Sequence, residues 1–323
     1  MDRQIISSTP HVRSKDTVQS VMRDVVIALC PAAFMGIYHY GAHALLLMAV
    51  SIAAAMFSEW AYEKALQKPS TLSDCSAIIT GLLLAMNLPP AAPLWMAAVG
   101  RVFAIVMVKM LFGGLGQNFM NPALAGRAFL LASYPVEMTS WTSASPLGLD
   151  AVSTATPLAS LKQGVLPDAT MLDLLTGNIG GCLGETCAIA LLIGAAYLLY
   201  KKVITWRIPA FYIGTVFILT AILGRTGESG TLHVPLYEIL SGGLLLGAFF
   251  MATDYASSPM TPLGQIIYAI GCGLLTTLIR LYGSYPEGVS YSILIMNLCV
   301  PLLDRYTAPR IFGARKKEKG AKA

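Results

Sequence analysis

The apolar residues of this chain gather into ten stretches, roughly 23–40, 43–66, 74–89, 92–112, 121–135, 180–200, 207–224, 236–253, 263–281 and 288–304. A run of about 20 apolar residues is what a helix needs to cross the hydrocarbon core of a bilayer. Only 12% of the residues are charged and 55% are hydrophobic, with a mean hydropathy of +0.65. That charged share is about half of an ordinary soluble domain's. A chain so poor in charge cannot cover itself with polar surface, so lipid is its expected solvent. The reading is an all-α polytopic membrane protein of about ten transmembrane helices. The third and fifth stretches are short for full spans, as are the broken helices of repeat-built transporters.

The net charge of +5 resembles a nucleic-acid signal until the basic residues are mapped. With the N-terminus in the cytoplasm and the spans alternating, sixteen of the 22 Lys and Arg fall inside, including Lys201, Lys202, Arg207 and the RKKEK tail. Only Lys162, Arg225 and Arg280 fall outside. This is the positive-inside pattern. It predicts a multi-pass protein of a bacterial or archaeal cytoplasmic membrane with both termini cytoplasmic and no nucleic-acid partner. Residues 1–22 are polar and carry no signal-like apolar core.

One connection is long. Residues 136–179 are rich in Ser and Thr, contain Pro146, Pro157 and Pro167, and fall outside. They separate a first five-helix half, 23–135, from a second, 180–304, with a polar segment 1–22 before and a basic tail 305–323 after. Two odd-numbered halves have opposite orientations, as in an inverted repeat. FMNPALAGRAFL before span five and SSPMTPLGQIIY before span nine are a faint trace of such a repeat.

Metal and nucleotide motifs are weak. None of the six cysteines forms a CxxC pair, the four histidines are scattered, and GRTGESG at 224–230 has no strand–helix context. No metal site is expected. The informative stretch is Asp150-Ala-Val-Ser153-Thr-Ala155-Thr156-Pro157-Leu158. By itself it reads as a helix start, with Thr156 as N-cap and Pro157 at the first helical position. The same geometry would set a phosphate on the Thr156 hydroxyl beside free backbone N–H groups.

The Asp150…Ser153-Thr-Ala155-Thr156 pattern is similar to the flavinylation motif of the RnfD and NqrB family of membrane proteins. DCSAIITGLLLAMNLPP at 74–90, GQNFMNPALAGRAF at 116–129, FFMATDYASSPMTP at 249–262, YPEGVSYSILIMN at 285–297 and PRIFG at 309–313 extend the resemblance over most of the chain. The short N-terminal segment and the PRIFG ending resemble the Rnf branch. The family motif has Gly where this chain has Thr154, which leaves two adjacent hydroxyls; the register of Ala155 favours Thr156.

The resemblance implies a subunit of a redox-driven ion pump that passes electrons between reduced ferredoxin and NAD, coupled to Na+ or H+ movement. It implies FMN joined through its phosphate to Thr156 by a flavin transferase, with Asp150, Ser153 and Ala155 as motif residues. The implied partners are the other membrane and peripheral Rnf subunits, another flavin subunit among them; the NAD site lies elsewhere. It also implies a second, noncovalent flavin such as riboflavin, expected near Asn118, Asn121 and Arg127. Among carboxylates at span ends, Asp254, Glu185 and Glu238 are the candidates for an ion path, since acidic residues in lipid tend to be functional. The rival reading is an inverted-repeat transporter or channel without redox chemistry.

Overall fold

The computed structural model describes residues 16–142, 144, 155–165, 167–223, 233–283, 285 and 287–309. Asp150 and Ser153 lie outside them. Among the described residues the chain is helical and holds no β-strand. The helices are α1 (Val18–Ala65), α2 (Ser76–Met86), α3 (Leu94–Val102), α4 (Pro122–Ser133), α5 (Pro135–Met138), α6 (Pro157–Lys162), α7 (Met171–Thr176), α8 (Ala188–Tyr200), α9 (Arg207–Leu223), α10 (His233–Leu240), α11 (Leu244–Met251), α12 (Pro262–Tyr282) and α13 (Val289–Thr307). Helix α3 runs on in wider turns over Phe103–Met110.

Among the described residues two helices, α1 and α12, are long and apolar enough to cross a membrane, or three spans if the bent pair α10–α11 counts as one. Helix α1 has 48 residues, about 72 Å at 1.5 Å per residue, more than twice a hydrocarbon core of about 30 Å. It breaks at Gly41, whose φ of 70° and ψ of −155° are not helical. Beyond the break the chain turns back: a Cβ on Gly36 would lie 3.4 Å from Met48 Cε, where straight helix would separate these residues by about 18 Å. The apolar stretches 23–40 and 43–66 are the two arms of this element.

The interior is polar where the exterior is not. Phe34, Phe57, Ile193 and Ile222 are exposed, while Glu59, Arg101, Lys109, Arg127 and Glu185 are buried. Water would favour the reverse, and lipid tolerates it. Small residues let the backbones close. A Cβ on Gly194 of α8 would lie 2.1 Å from the Ala28 carbonyl of α1, and Tyr197 of α8 donates to Asp24 of α1 at 2.8 Å. In the second half the hydroxyls of Tyr212, Thr276 and Ser292 bond one another at 2.7–3.1 Å between α9, α12 and α13.

The span expected over 180–200 becomes helical only at Ala188. Residues 178–187, NIGGCLGETC, are turns; Gly180, Gly181 and Gly184 weaken a helix here, and the backbone instead bonds α2, Leu183 N–H to Leu88 and Gly184 N–H to Met86. The connection before it is anchored to the helical body. Leu158 and Leu161 of α6 are buried, Lys162 Nζ donates to the Gly283 carbonyl at 2.5 Å, and His39 of α1 bonds the Thr176 carbonyl at 3.1 Å. Thr170 caps α7 reciprocally with Asp173, and these hydrogen bonds hold the Asp173 carboxyl below its usual range.

Candidate functional site

Asn121 caps α4, accepting from the N–H groups of Ala123 and Leu124, with Pro122 at the first helical position. Its amide donates to the Met251 carbonyl at 3.3 Å, which fixes the start of α4 against α11. Arg127 follows on α4 and is buried. Its Nη1 donates to Asn87 Oδ1 at 2.9 Å, Ser290 Oγ at 3.2 Å and Glu185 Oε1 at 3.4 Å. Its Nη2 donates to Glu287 and meets Cys182 Sγ at 3.6 Å. A buried membrane arginine needs such partners. The thiol of Cys182 and carboxylate oxygens of Glu185 and Glu287 lie within 4.8 Å of one another.

Beside this cluster the eighth apolar stretch breaks. Helices α10 and α11 meet at 60°, with Gly242 at φ 67°, a value that favours glycine. Glu238 of α10 pairs with Arg280 of α12 at 2.8 Å, and the same guanidinium bonds the Glu238 carbonyl at 2.5 Å. The lack of a side chain on Gly243 makes room for Glu185, whose Oε1 would be 2.5 Å from a Cβ there.

Thr156 stands at this place. It caps α6, its hydroxyl accepting from the Ala159 N–H at 3.2 Å, and it is buried although Ala155 before it is exposed. A small pocket is lined by Thr156, Leu158, Gly181, Glu185, Gly242 and Glu287, among others. The space in front of Gly181 is open. Arg280 Nη2 lies 3.5 Å from where a Cβ on Gly242 would stand, and the buried Nε of the same residue has no hydrogen-bond partner among the described residues. The pocket, of about 10 Å³, is too small for a flavin ring, so a group carried on the Thr156 hydroxyl would be tethered here and extend beyond the pocket.

A second place lies toward the opposite end of α12, which at 21 residues is about 31 Å long. A cavity of about 90 Å³ is lined by Asn118, Asn121, Asp254, Thr80, Ser76 and Lys109 together with Phe249, Phe250 and Tyr255. Asp254 accepts from Ser257 Oγ at 2.9 Å. Lys109 Nζ is shared by Glu59 at 2.8 Å and Ser76 Oγ at 2.6 Å. Asn118 and Asn121 thus share a cavity with Asp254, whereas Arg127 belongs to the cluster near Thr156. Glu185 joins Arg127, and Glu238 is engaged by Arg280. Sequence reasoning singled out neither Glu287 nor Asn87, and read Arg280 as a topology marker. The one signal for Glu287 is a lone carboxylate between Pro286 and Gly288 just before an apolar run.

The sequence profile of the NQR2, RnfD, RnfE family matches residues 5–313. Over 321 residues, 98% of each chain, the protein is 54% identical to a subunit of the Na(+)-translocating ferredoxin:NAD(+) oxidoreductase complex of Acetobacterium woodii. It is 49% identical to a subunit of the proton-translocating ferredoxin:NAD(+) oxidoreductase complex of Clostridium ljungdahlii, over 96% of each. It is 37% identical to a subunit of the ion-translocating oxidoreductase complex of Vibrio cholerae, over 95% of this chain and 99% of the relative.

Proposed function

Because the chain belongs to the NQR2, RnfD, RnfE family, we propose that it works as the flavin-bearing membrane subunit of an Rnf-type complex, with FMN esterified to Thr156. It is a membrane subunit of an ion-translocating ferredoxin:NAD+ oxidoreductase complex, as its relatives' names read. The NAD site lies on another chain. The finer reading is a covalent FMN relay set among ten spans in two inverted halves, with Thr156 on the outer face, where a flavin transferase would reach it.

The observation that carries the flavin reading is the position of Thr156. Thr156 lines a small pocket together with Gly181, Gly242, Glu185 and Glu287, and Arg127 pairs with both carboxylates. When bound, FMN supplies one-electron chemistry, and the protein supplies position and electrostatics. Thr156 would tether the group at the pocket, and the open space in front of Gly181 would leave room beside the hydroxyl for its phosphate. A second, noncovalent flavin such as riboflavin is assigned to the cavity of Asn118 and Asn121, where amide groups and the rings of Phe249 and Phe250 offer hydrogen bonds and stacking. Asp254, in the same cavity, is the carboxylate assigned to the ion path.

Thr156→Ala tests the tether. Losing one cap costs about 1 kcal/mol, so the helices should persist. The covalent flavin fluorescence of the denatured chain should vanish, and electron flow through the complex should stop. Thr154→Ala should keep the fluorescence. A Thr156→Ala chain that still fluoresces after denaturing electrophoresis refutes the assignment. No flavin on the wild-type chain after coexpression with a matching transferase would favour a transporter without redox chemistry.

A further inference from the structure

We propose that Glu63 is a proton-binding site, and that the proton it shares with Thr71 latches the 66–75 turn onto the end of α1. The proposal goes beyond the flavin reading and does not depend on it.

The sequence sets two carboxylates, Glu59 and Glu63, four residues apart on α1. Residues at that spacing are neighbours on one helix face, and two like charges there repel. Both are buried, at 0% and 3% exposure. The turn that follows folds back on them past Gln67, whose φ is 51°. Lys68 N–H donates to the Glu63 carbonyl at 2.9 Å, and Thr71 N–H donates to Glu63 Oε1 at 2.9 Å.

Only one of the two carboxylates has a cation. Lys109, from the widened end of α3, donates to both oxygens of Glu59 at 2.8 Å and to Ser76 Oγ at 2.6 Å. The other charged groups here are turned elsewhere. Lys64 Nζ lies 4.8 Å from the centre of the Trp60 ring, and Lys68 Nζ lies 5.5 Å from that of Tyr62. Asp74 accepts from the N–H and hydroxyl of Ser76, Cys75 Sγ meets the Ser73 carbonyl, and α2 brings no charged residue. Arg101, whose Nη2 lacks a partner among the described residues, bonds Ser51, about 18 Å back along α1 from Glu63. Glu63 thus has no ion pair among the described residues, and its Oε2 has no hydrogen-bond partner there. A lone carboxylate is costly to bury, and taking a proton removes that cost.

Hydrogen bonding locates the proton. Thr71 Oγ1 lies 2.8 Å from Glu59 Oε1 and 2.5 Å from Glu63 Oε1. A hydroxyl has one hydrogen to donate, so both contacts are hydrogen bonds only if a carboxyl supplies the second. Both Glu59 oxygens already accept from Lys109, which favours the ionised form of Glu59. The hydrogen therefore sits on Glu63: its Oε1–H donates to Thr71, and the Thr71 O–H donates to Glu59. A separation of 2.5 Å is that of an O–H···O bond and leaves no room for a metal ion between the oxygens. Binding forms one O–H bond at Glu63 with a proton from the aqueous phase and breaks no other covalent bond. The closed turn holds one proton more than the open one, so closure weakens as pH rises. Lys64 and Lys68 mark this end of α1 as one expected inside, where it would respond to cytoplasmic pH.

The test follows deuterium exchange of the 66–75 segment against pH in the assembled complex, corrected for the intrinsic pH dependence of exchange. The proposal expects protection to be high at low pH and to fall by up to about tenfold per pH unit, the limit for one proton. Glu63→Gln keeps an acceptor for the Thr71 N–H and has no proton to lose, so its protection should stay high throughout. Glu137→Gln, an exposed carboxylate elsewhere, should behave as wild type. Protection independent of pH in wild type overturns the proposal, as does a wild-type response in Glu63→Gln. Adding Na+ at high pH should leave exchange unchanged, and protection restored by Na+ would overturn the proton assignment. Infrared difference spectra of the wild type need no variant that must fold. A protonated carboxyl band that is lost together with protection supports the proposal, and its absence while the turn is protected overturns it. None of these readouts involves flavin, so the flavin reading fails separately, by missing fluorescence.

Discussion

Arg127 meets five side chains from elsewhere in the sequence, Asn87, Cys182, Glu185, Glu287 and Ser290. Removing one partner of a buried ion pair costs about 3–5 kcal/mol because the other charge stays behind. Arg127→Ala strands two carboxylates at once, so the variant should lose thermal stability and accumulate poorly in the membrane. Adding Glu287→Gln should recover part of the loss, and a double variant no better than the single one would show that the pair is not coupled. Asp254 has a different neighbourhood, with Ser257 as its partner and the cavity of Asn118 in front of it. Asp254→Asn should lower ion transport by assembled complexes while covalent flavin is retained; transport at the wild-type rate would reduce Asp254 to a helix-end residue. At this scale the sequence disclosed residue types better than partners. Glu185 and Arg127 stood out as charges in apolar surroundings, but the contact between them depends on where the 178–187 turns bring the chain. Glu287 was hidden because it falls between spans, where a carboxylate needs no explanation.

Among the elements, the broken helix pair α10–α11 shapes the site. Its 60° bend and the glycines at 242 and 243 let Glu185 and Arg280 approach one backbone. Gly243→Ala would place a Cβ 2.5 Å from Glu185 Oε1. That oxygen ends a flexible side chain, so the fold should survive while the carboxylate moves. The redox potential of a flavin on Thr156 should change with little loss of stability, and an unchanged potential would separate Gly243 from the site. Gly194→Val is a contrasting case, since its Cβ would press on the Ala28 backbone. Overpacking of this kind costs about 1–3 kcal/mol and should appear as a lower melting temperature with the potential unchanged. The positions of most helices were legible from hydropathy, including the Pro122 and Pro262 starts, where Asn121 and Thr261 supply caps. The late start of α8 was not legible: Cys182 and Leu183 read as apolar span, while the glycines around them turn the chain into the site.

The molecule as a whole sets buried charge inside an apolar exterior, and two polar centres lie near opposite ends of α12. Thr156, Glu185, Glu287 and Arg280 occupy one end, and Asn118, Asn121 and Asp254 the other. An electron carrier that also serves ion movement needs centres that reach both membrane faces. The distribution of Lys and Arg gives the proposed orientation, with Lys201, Lys202 and the basic tail expected inside. A reporter fused after Lys162 should behave as exported and one after Lys317 as cytoplasmic; the opposite pair would invert the map and move Thr156 to the inner face. Sequence conveyed the membrane class, the family and the helix start with Thr156 as its cap, because hydropathy and short motifs are local properties. It did not convey that Thr156 shares a pocket with Glu185 and Glu287, residues 29 and 131 positions away, because such contacts exist only after folding. The central claim is the covalent flavin, and peptide mapping of the wild-type chain by mass spectrometry after coexpression with a transferase tests it most directly. The account predicts an added FMN mass, less one water, on the peptide containing Thr156 and localised to that residue by fragmentation. An unmodified Thr156, with the mass absent or on another residue, would contradict it.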